Sequence, residues 1–256
     1  MKYIIMFIIG TIFGSFYNVV GYRLPKNESI IFPPSHCPKC NHKLKFYELI
    51  PIISYLIQKG KCTKCKEKIN MFYPIIEFIT GILFTLSLKA YGINPILIII
   101  LTFISMLVII TVSDINYMII PDSVLIFFLL LLVIEIYLIK GINSLTTSLT
   151  NGLIAFAIMY TIKIIGDIIF KKESMGGGDI KLMFIIGMIL TYKNAILSIF
   201  IGSLIGLPLA LLTIKKNKSH VLPFGPLLAA GAIIIALTQI NLNTILNLLQ
   251  LRFFVK

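Results

Sequence analysis

The chain has 256 residues, of which 58% are hydrophobic and 13% are charged, and its mean hydropathy is +0.98. This composition excludes an ordinary soluble domain, which is roughly 45–50% apolar and about 25% charged, and it predicts an all-α polytopic membrane protein. The net charge of +13 does not indicate nucleic-acid binding, because ten basic residues crowd the stretch 21–72, and a basic excess beside membrane spans marks the cytoplasmic side and anionic headgroups.

The first predicted transmembrane helix runs from Tyr3 to about Val20 and forms a first unit, residues 1–20. Tyr22 and Arg23 follow it, rather than the small-residue cleavage site of a secretory signal. We therefore expect this helix to be retained as an anchor.

Residues 21–72 form the only sizeable polar segment and contain every cysteine of the chain, in two CxxC pairs separated by 21 residues. This spacing predicts a structural zinc site of ribbon type, which would supply the folding free energy that so small a segment lacks. Disulfides are the alternative, and cytosolic placement argues against them; His36 or His42 could also replace a ligand. The predicted zinc ligands are Cys37, Cys40, Cys62 and Cys65.

Residues 73–240 are expected to form a membrane-embedded core, which brings the total to about eight spans. Residues 241–256 form a tail with apolar residues at helical spacing, which could lie along the interface. The span after Asp179 offers about twelve residues, or roughly 18 Å, against a hydrocarbon core of ~30 Å. The further spans are expected at about 74–91, 95–113, 121–139, 147–169, 180–191, 194–214 and 223–240.

The distribution of lysine and arginine in the short loops predicts the orientation. With 21–72 in the cytoplasm, the basic loops 170–179 and 215–220 fall on the same side, and the N-terminus lies outside. The loop 114–122 and the loop that ends at Asp179 then also share the cytoplasmic face.

Two aspartates at the ends of apolar runs, Asp114 and Asp179, are the strongest candidates for chemistry. The chain has only ten acidic residues, and a carboxylate beside a membrane segment is costly enough to indicate function. Two adjacent carboxyl groups share one proton, titrate as a unit and can activate water against an amide. The simpler alternative is that Asp114 marks a helix end and Asp179 is an N-cap.

Three glycines immediately precede Asp179. They are unfavourable in a helix, so we expect them to adopt positive φ and to admit a second backbone closely. Gly176 and Gly178 are assigned to an active-site loop that holds an extended substrate, and Asp179 to the start of a helix near Ile180, where the helix dipole favours a carboxylate. Lys181 is expected to point away from Asp179.

The remaining acids near spans are expected to be structural. Asp122 follows a proline at a helix start, where both residue types are favoured. Lys163 and Asp167 are spaced to pair within one helix. Glu77 and Glu135 are expected to snorkel or to hydrogen-bond between helices.

Several motifs together resemble the type IV prepilin leader peptidases, polytopic aspartic proteases of the GxGD type. The resemblance covers roughly residues 10–230. Gly176-Gly177-Gly178-Asp179 with Ile180-Lys181-Leu182 resembles the second catalytic signature of the family, and Asp114 with Ile120-Pro121-Asp122 resembles the first. Further matches are Gly14-Ser15-Phe16-Tyr17-Asn18, Tyr22-Arg23-Leu24-Pro25, the stretch from Cys37 to Cys65, and Tyr73-Pro74-Ile75-Ile76-Glu77.

This resemblance implies a bacterial cytoplasmic-membrane endopeptidase that removes the basic leader from prepilin-like precursors on the cytoplasmic face. It implies Asp114 and Asp179 as the catalytic pair and the four cysteines as zinc ligands. Many family members also methylate the new N-terminus with S-adenosylmethionine, and only the resemblance implies that activity here.

The sequence leaves two alternative functions open. A transporter or channel with a zinc-ribbon docking module would place acids deep in spans and show related halves, whereas here the informative acids lie at helix ends. A membrane methyltransferase or scaffold without protease activity is the other alternative.

Overall fold

The computed structural model describes residues 1–216 and 223–240, and within these ranges every regular element is helical. The predicted all-α fold is therefore confirmed for the described residues. Two short 3₁₀ turns, Leu24–Lys26 and Phe46–Glu48, lie in the cysteine-bearing segment. The α-helices are α1 (Lys2–Arg23), α2 (Ile53–Ile57), α3 (Phe72–Tyr91), α4 (Ile96–Tyr117), α5 (Asp122–Lys140), α6 (Ile142–Phe170), α7 (Gly177–Leu190), α8 (Tyr192–Lys216) and α9 (Gly225–Thr238).

Five of these helices, α1, α3, α4, α5 and α6, are long and apolar enough to cross a membrane. Helices α7 and α9 have 14 residues each, which corresponds to about 21 Å and is short of the ~30 Å hydrocarbon core. The membrane class is thus supported, while the expected eight spans are met only in part. The predicted tail 241–256 and part of the basic loop 215–220 lie outside the described residues.

Helix α4 is the centre of the bundle. It packs against α1, α3, α5 and α9, and it is buried on several faces, as expected for a core helix. Phe103, Ile104 and Leu107 are among its fully buried side chains. Because α4 is fixed from several sides, the position of Asp114 in its last turn is fixed as well.

Small residues allow the neighbouring helices to approach closely. A Cβ atom placed on Gly10 of α1 would lie 2.8 Å from the Cα of Gly81 in α3. Across α6 and α7, a Cβ on Gly187 would lie 2.4 Å from the Cβ of Ala155. Close approach at small residues is a common way for membrane helices to associate.

Two of the charged residues within the helices have the kind of partner that the sequence predicts. Lys163 Nζ lies 3.1 Å from an Asp167 carboxylate oxygen, which confirms that pair. Glu135 accepts a hydrogen bond of 2.7 Å from the Thr102 hydroxyl, which links α5 to α4. The predicted role of Glu135 in bonding between helices is therefore confirmed.

Candidate active site and cysteine centre

Asp114 lies in the last turn of α4, and its side chain is 6% exposed. The helix ends at Met118, which adopts the left-handed conformation (φ 54°, ψ 37°) and turns the chain toward α5. One carboxylate oxygen of Asp114, Oδ2, accepts a hydrogen bond of 3.0 Å from the backbone N–H of Gly225. This contact joins α4 to the first residue of α9, 111 positions along the chain.

Sequence reasoning missed Gly225. The available signal was the pair Gly225-Pro226 at the start of the last described apolar helix. Proline is favoured in the first turn of a helix, and the first N–H groups of a helix have no partner within it. The sequence marks the helix start, but it does not indicate that the free N–H meets Asp114.

Asp179 lies in the first turn of α7 and is 8% exposed. A Cβ atom placed on Gly176, the residue that caps the helix, would lie 3.5 Å from Asp179 Oδ2. The carboxylate therefore turns back toward the helix start, and it lies within electrostatic range of Asp114. The structure therefore brings the two predicted aspartates to the same end of the bundle. The N-cap of α7 is Gly176 and Asp179 lies inside the first turn, so the alternative that Asp179 is the N-cap is wrong.

The glycines before Asp179 differ from the prediction. Helix α7 begins at Gly177 rather than near Ile180, and its N-cap Gly176 is extended (φ −68°, ψ 145°). The glycines with positive φ in the described ranges are Gly60, Gly92 and Gly141, so the expectation of positive φ for the glycine string is wrong. Two of the three glycines are helical because the following apolar residues pack α7 into the bundle, which outweighs their low helix propensity.

Gly178 instead provides space for a neighbouring side chain. A Cβ atom at Gly178 would lie 2.8 Å from the Cβ of Ile120, whereas one at Gly177 would meet nothing within 4 Å. A Cβ at Gly225 would lie 3.3 Å from Ile120 Cδ1 and 2.8 Å from Asp114 Oδ2. Ile120 therefore lies between the first turns of α7 and α9 and packs the elements that carry both carboxylates.

Asp122 and Lys181 form an ion pair beside this site. Both carboxylate oxygens of Asp122 accept hydrogen bonds from Lys181 Nζ, at 2.7 and 2.8 Å, and both side chains are more than half exposed. Lys181 thus points to Asp122 and not to Asp179, as its spacing predicts. This partner agrees with a structural role for Asp122.

The four predicted cysteine ligands converge. Their sulfur atoms all lie within 4.8 Å of one another, with Cys37 Sγ 3.7 Å from Cys65 Sγ and Cys40 Sγ 3.9 Å from Cys62 Sγ. All four are free thiols. A tetrahedral site with Zn–S bonds of about 2.3 Å has sulfur–sulfur separations of about 3.8 Å, so the cluster fits a four-coordinate metal ion and not a pair of disulfides.

The two CxxC turns have the same backbone geometry. The carbonyl of Cys37 accepts the Asn41 N–H at 2.9 Å, and the carbonyl of Cys62 accepts the Lys66 N–H at 3.0 Å. Asn41 and Lys66 both have positive φ, 53° and 60°. A short antiparallel bridge flanks each turn, His36 with Lys43 and Lys61 with Lys68.

Backbone amides stabilise the thiolate form of the first cysteine in each turn. The amides of Cys40 and Lys39 lower the pKa of Cys37 to about 7. The amides of Cys65 and Lys64 likewise lower the pKa of Cys62. A thiolate is the form that binds metal, so these turns are suited to a metal ion.

Glu48, which sequence reasoning missed, joins the two halves of the cysteine centre. It is buried, and its carboxylate accepts hydrogen bonds from the Lys45 N–H at 2.7 Å and the Thr63 hydroxyl at 2.5 Å, with His42 Nε2 at 3.2 Å. Burial raises the pKa of Glu48, but these hydrogen bonds outweigh it and leave the pKa below its ordinary value. His42 therefore faces Glu48, and His36 Nδ1 lies 2.9 Å from the Pro34 carbonyl, so neither histidine replaces a cysteine ligand.

A helical membrane bundle with two buried, neighbouring carboxylates at one end has the architecture of a membrane-embedded protease. Family models agree in two places: residues 8–91 match the bacterial peptidase A24 N-terminal domain, and residues 101–211 match the type IV leader peptidase family. The chain belongs to the type IV leader peptidase family.

Curated relatives extend this similarity over most of the chain. The chain is 41% identical over 233 residues to the prepilin leader peptidase/N-methyltransferase of Bacillus subtilis (strain 168), covering 90% of this chain and 92% of the relative. It is 31% identical over 252 residues to the enzyme of the same name from Neisseria gonorrhoeae, covering 89% and 87%. It is 29% identical over 245 residues to the type 4 prepilin-like proteins leader peptide-processing enzyme of Escherichia coli O78:H11 (strain H10407 / ETEC), covering 88% and 89%. No solved structure matches the chain.

Proposed function

We propose that this protein is an aspartic endopeptidase that cleaves the basic leader from type IV prepilin-like precursors, with Asp114 and Asp179 as its catalytic pair. The observation that carries the proposal is the burial of these two carboxylates together at one end of the bundle. The names of the relatives supply the substrate class.

The two carboxylates would divide acid and base work as in soluble aspartic proteases. One carboxylate takes a proton from water, which attacks the peptide carbonyl, while the protonated carboxyl group donates a hydrogen bond to the carbonyl oxygen. The tetrahedral intermediate then collapses as a proton passes to the leaving nitrogen. The N–H of Gly225 holds one oxygen of Asp114, so a backbone amide orients that carboxylate. The Asp179 carboxylate lies beside the backbone of Gly176.

Gly176 and Gly178 have different surroundings next to Asp179. Gly176 is extended, and no other residue would lie within 4 Å of a Cβ placed on Gly177. The space beside Gly178 is filled by the Ile120 side chain. We therefore assign the contact with the substrate backbone to Gly176, and the packing that keeps α7 beside the loop between α4 and α5 to Gly178.

We further propose that the metal of the cysteine centre is zinc in a structural role. Four thiolates complete a tetrahedral shell and leave no position for substrate or water. The proposed division of the chain is a first helix at 1–20, a cysteine-bearing domain at 21–72, a peptidase core at 73–240 and a tail at 241–256.

The proposed topology is the one that the basic loops predict. Eight helices cross a bacterial cell membrane, the N-terminus lies outside, and the carboxylate pair and the cysteine centre face the cytoplasm. The shorter helices α7 and α9 place their N-termini at the carboxylates, which supports a site recessed below the membrane surface. The substrate would enter from the bilayer as an apolar helix, with its basic leader in the cytoplasm.

Methylation of the new N-terminus with S-adenosylmethionine is a second candidate activity. Its support is the word N-methyltransferase in the names of the relatives. We assign no residue of this chain to that reaction.

The test is to incubate the purified full-length chain, reconstituted in lipid, with a prepilin-like precursor, with and without S-adenosylmethionine. We expect mass spectrometry to detect the released leader in both reactions, and a mature product heavier by one methyl group only with the methyl donor. An intact precursor would contradict the peptidase. Cleavage without a methyl group would retain the peptidase and remove the second activity.

A further inference from the structure

Apolar side chains are strongly exposed in the short helix α2 and the 3₁₀ turn before it, a stretch that we call the 46–57 segment. Phe46 is 86% exposed, Leu56 67% and Ile57 76%. The turn and α2 contact each other, so these exposed side chains lie near one another. A large apolar surface of this kind marks an interaction site. The other exposed large apolar residues of the segment are Tyr47, Leu49, Ile50 and Ile53.

This surface continues into the outward-facing side of α3. A groove of about 250 Å³ lies between the two helices, lined by Tyr55 and Leu56 of the segment and by Pro74, Ile75 and Phe78 of α3. The surface that lines the groove is apolar on both helices. The surroundings that cover α3 at this groove therefore also cover α2.

An exposed apolar face of a membrane-spanning helix is covered by lipid. Helix α3 is long and apolar enough to span a membrane, and one of its stripes is exposed on the bundle surface. The stripe has the three- and four-residue spacing of a single helix face. It consists of Ile75, Phe78, Ile79, Ile82 and Leu86.

A strained turn holds the 46–57 segment against the first turns of α3. Ile52 has φ 62° and ψ −53°, and the Ile53 N–H bonds to the Pro51 carbonyl at 2.5 Å, which is the geometry of a rare, strained γ-turn. A positive φ is a true outlier for a β-branched residue. The Ile52 N–H donates a hydrogen bond of 2.8 Å to the buried carboxylate of Glu77 in α3, so this buried acid fixes the height of α2 beside α3. The contact also confirms the hydrogen-bonding role expected for Glu77.

The charges around the segment favour an anionic surface. Residues 21–72 contain ten basic and three acidic residues. Of the three acids, Glu48 is buried in hydrogen bonds and Glu67 is paired with Lys39. Lys45 lies 5.8 Å from the ring centre of Tyr47, and tyrosine with lysine is typical of the membrane interface.

We propose that the 46–57 segment lies in the anionic headgroup layer of the adjacent leaflet and fixes the cysteine-bearing domain on the membrane surface. Apolar side chains of an interfacial helix are buried about 5–10 Å into this boundary, and nearby lysines are attracted to anionic lipid. The proposal goes beyond the peptidase activity and does not rest on it.

The chain contains no tryptophan, so a single introduced tryptophan reports its own surroundings. The full chain carrying Ile57→Trp, and separately Leu56→Trp, is reconstituted in vesicles rich in phosphatidylglycerol. We expect emission shifted to the blue and reduced to about half or less when the acyl chains carry bromine near the headgroups, the depth at which interfacial helices lie. Phe78→Trp is the lipid-facing reference, and the exposed Lys64→Trp, between two cysteines of the same domain, is the reference in water.

Two results would overturn the proposal. The first is emission from both segment variants that matches Lys64→Trp and is quenched equally by aqueous acrylamide. The second is blue-shifted emission that brominated lipid does not reduce, which would mean that protein covers the segment. Cleavage of the precursor by the same variants is measured in parallel, so a failure of lipid docking is distinguished from a failure of the peptidase proposal.

Discussion

The carboxylate site and the cysteine centre are assembled in opposite ways. Asp114, Asp179 and Gly225 come from three different helices, and the hydrogen bond from Gly225 to Asp114 joins residues 111 positions apart. The four sulfur atoms come from two nearly identical turns within residues 37–65. The carboxylate site therefore depends on packing of the whole bundle, whereas the cysteine centre depends on local turns and on the metal ion that they would bind.

The largest effect on the cleavage rate is expected when one of the two carboxylates is replaced. Asp114→Asn or Asp179→Asn removes one member of the proposed catalytic pair, and cleavage should fall by about 10²–10⁴-fold, the usual contribution of general acid–base catalysis. The assay is release of the leader from a precursor under single-turnover conditions. Asp122→Asn is the matched control and should cleave close to the wild-type rate, because Asp122 pairs with exposed Lys181. A folded Asp114→Asn or Asp179→Asn protein with normal cleavage would disprove the proposed pair.

Replacing one cysteine should unfold the cysteine centre, because the site then loses its metal ion. Cys62→Ser removes one of four thiolates, and bound zinc should fall from about one per chain to nearly none, because structural zinc binding and local folding are one event. Metal analysis of the purified protein, together with limited proteolysis between α1 and α3, measures both changes. His36→Ala should retain its metal, since His36 faces the Pro34 carbonyl. Zinc at full occupancy in Cys62→Ser would contradict the assignment.

Two adjacent glycines give a finer test of the packing at the carboxylate site. Gly178→Ala forces a methyl group against Ile120, whereas Gly177→Ala meets nothing. Overpacking costs about 1–3 kcal/mol, and we expect cleavage to fall by about tenfold in Gly178→Ala alone, since about 1.4 kcal/mol corresponds to a factor of ten. The measurement is the cleavage rate of the two variants side by side.

A second substitution makes the glycine test specific. Ile120→Gly combined with Gly178→Ala removes the Ile120 Cβ that the new methyl group would meet, and should recover part of the lost rate. Equal rates for Gly177→Ala and Gly178→Ala would show that Ile120 does not hold the site in place.

The smallest effect is expected for the exposed ion pair. Lys181→Met breaks the contact with Asp122, and the free energy of unfolding should change by less than about 1 kcal/mol, as is usual for exposed pairs. Thermal unfolding in detergent measures the change. A large loss of stability would mean that Asp122 and Lys181 belong to the packing of the carboxylate site.

The sequence alone determined the membrane class, the helical fold, the cysteine cluster and the two aspartates worth testing. These features follow from composition, from CxxC spacing and from the cost of placing a carboxylate beside apolar spans, none of which depends on how the helices pack. The pair Lys163–Asp167 and a hydrogen-bonding role for Glu135 were likewise within reach, because a charge or a carboxylate inside a span needs a partner.

Only the tertiary structure decided which backbone groups meet the carboxylates. Three contacts join segments that are distant in sequence. They are the hydrogen bond from Gly225 to Asp114, the packing of Ile120 against Gly178, and the hydrogen bond from Ile52 to Glu77. The helical conformation of Gly177 and Gly178 was also decided there, because packing of the apolar residues that follow outweighs the low helix propensity of glycine. Local sequence rules describe one element at a time, and these contacts exist only between elements.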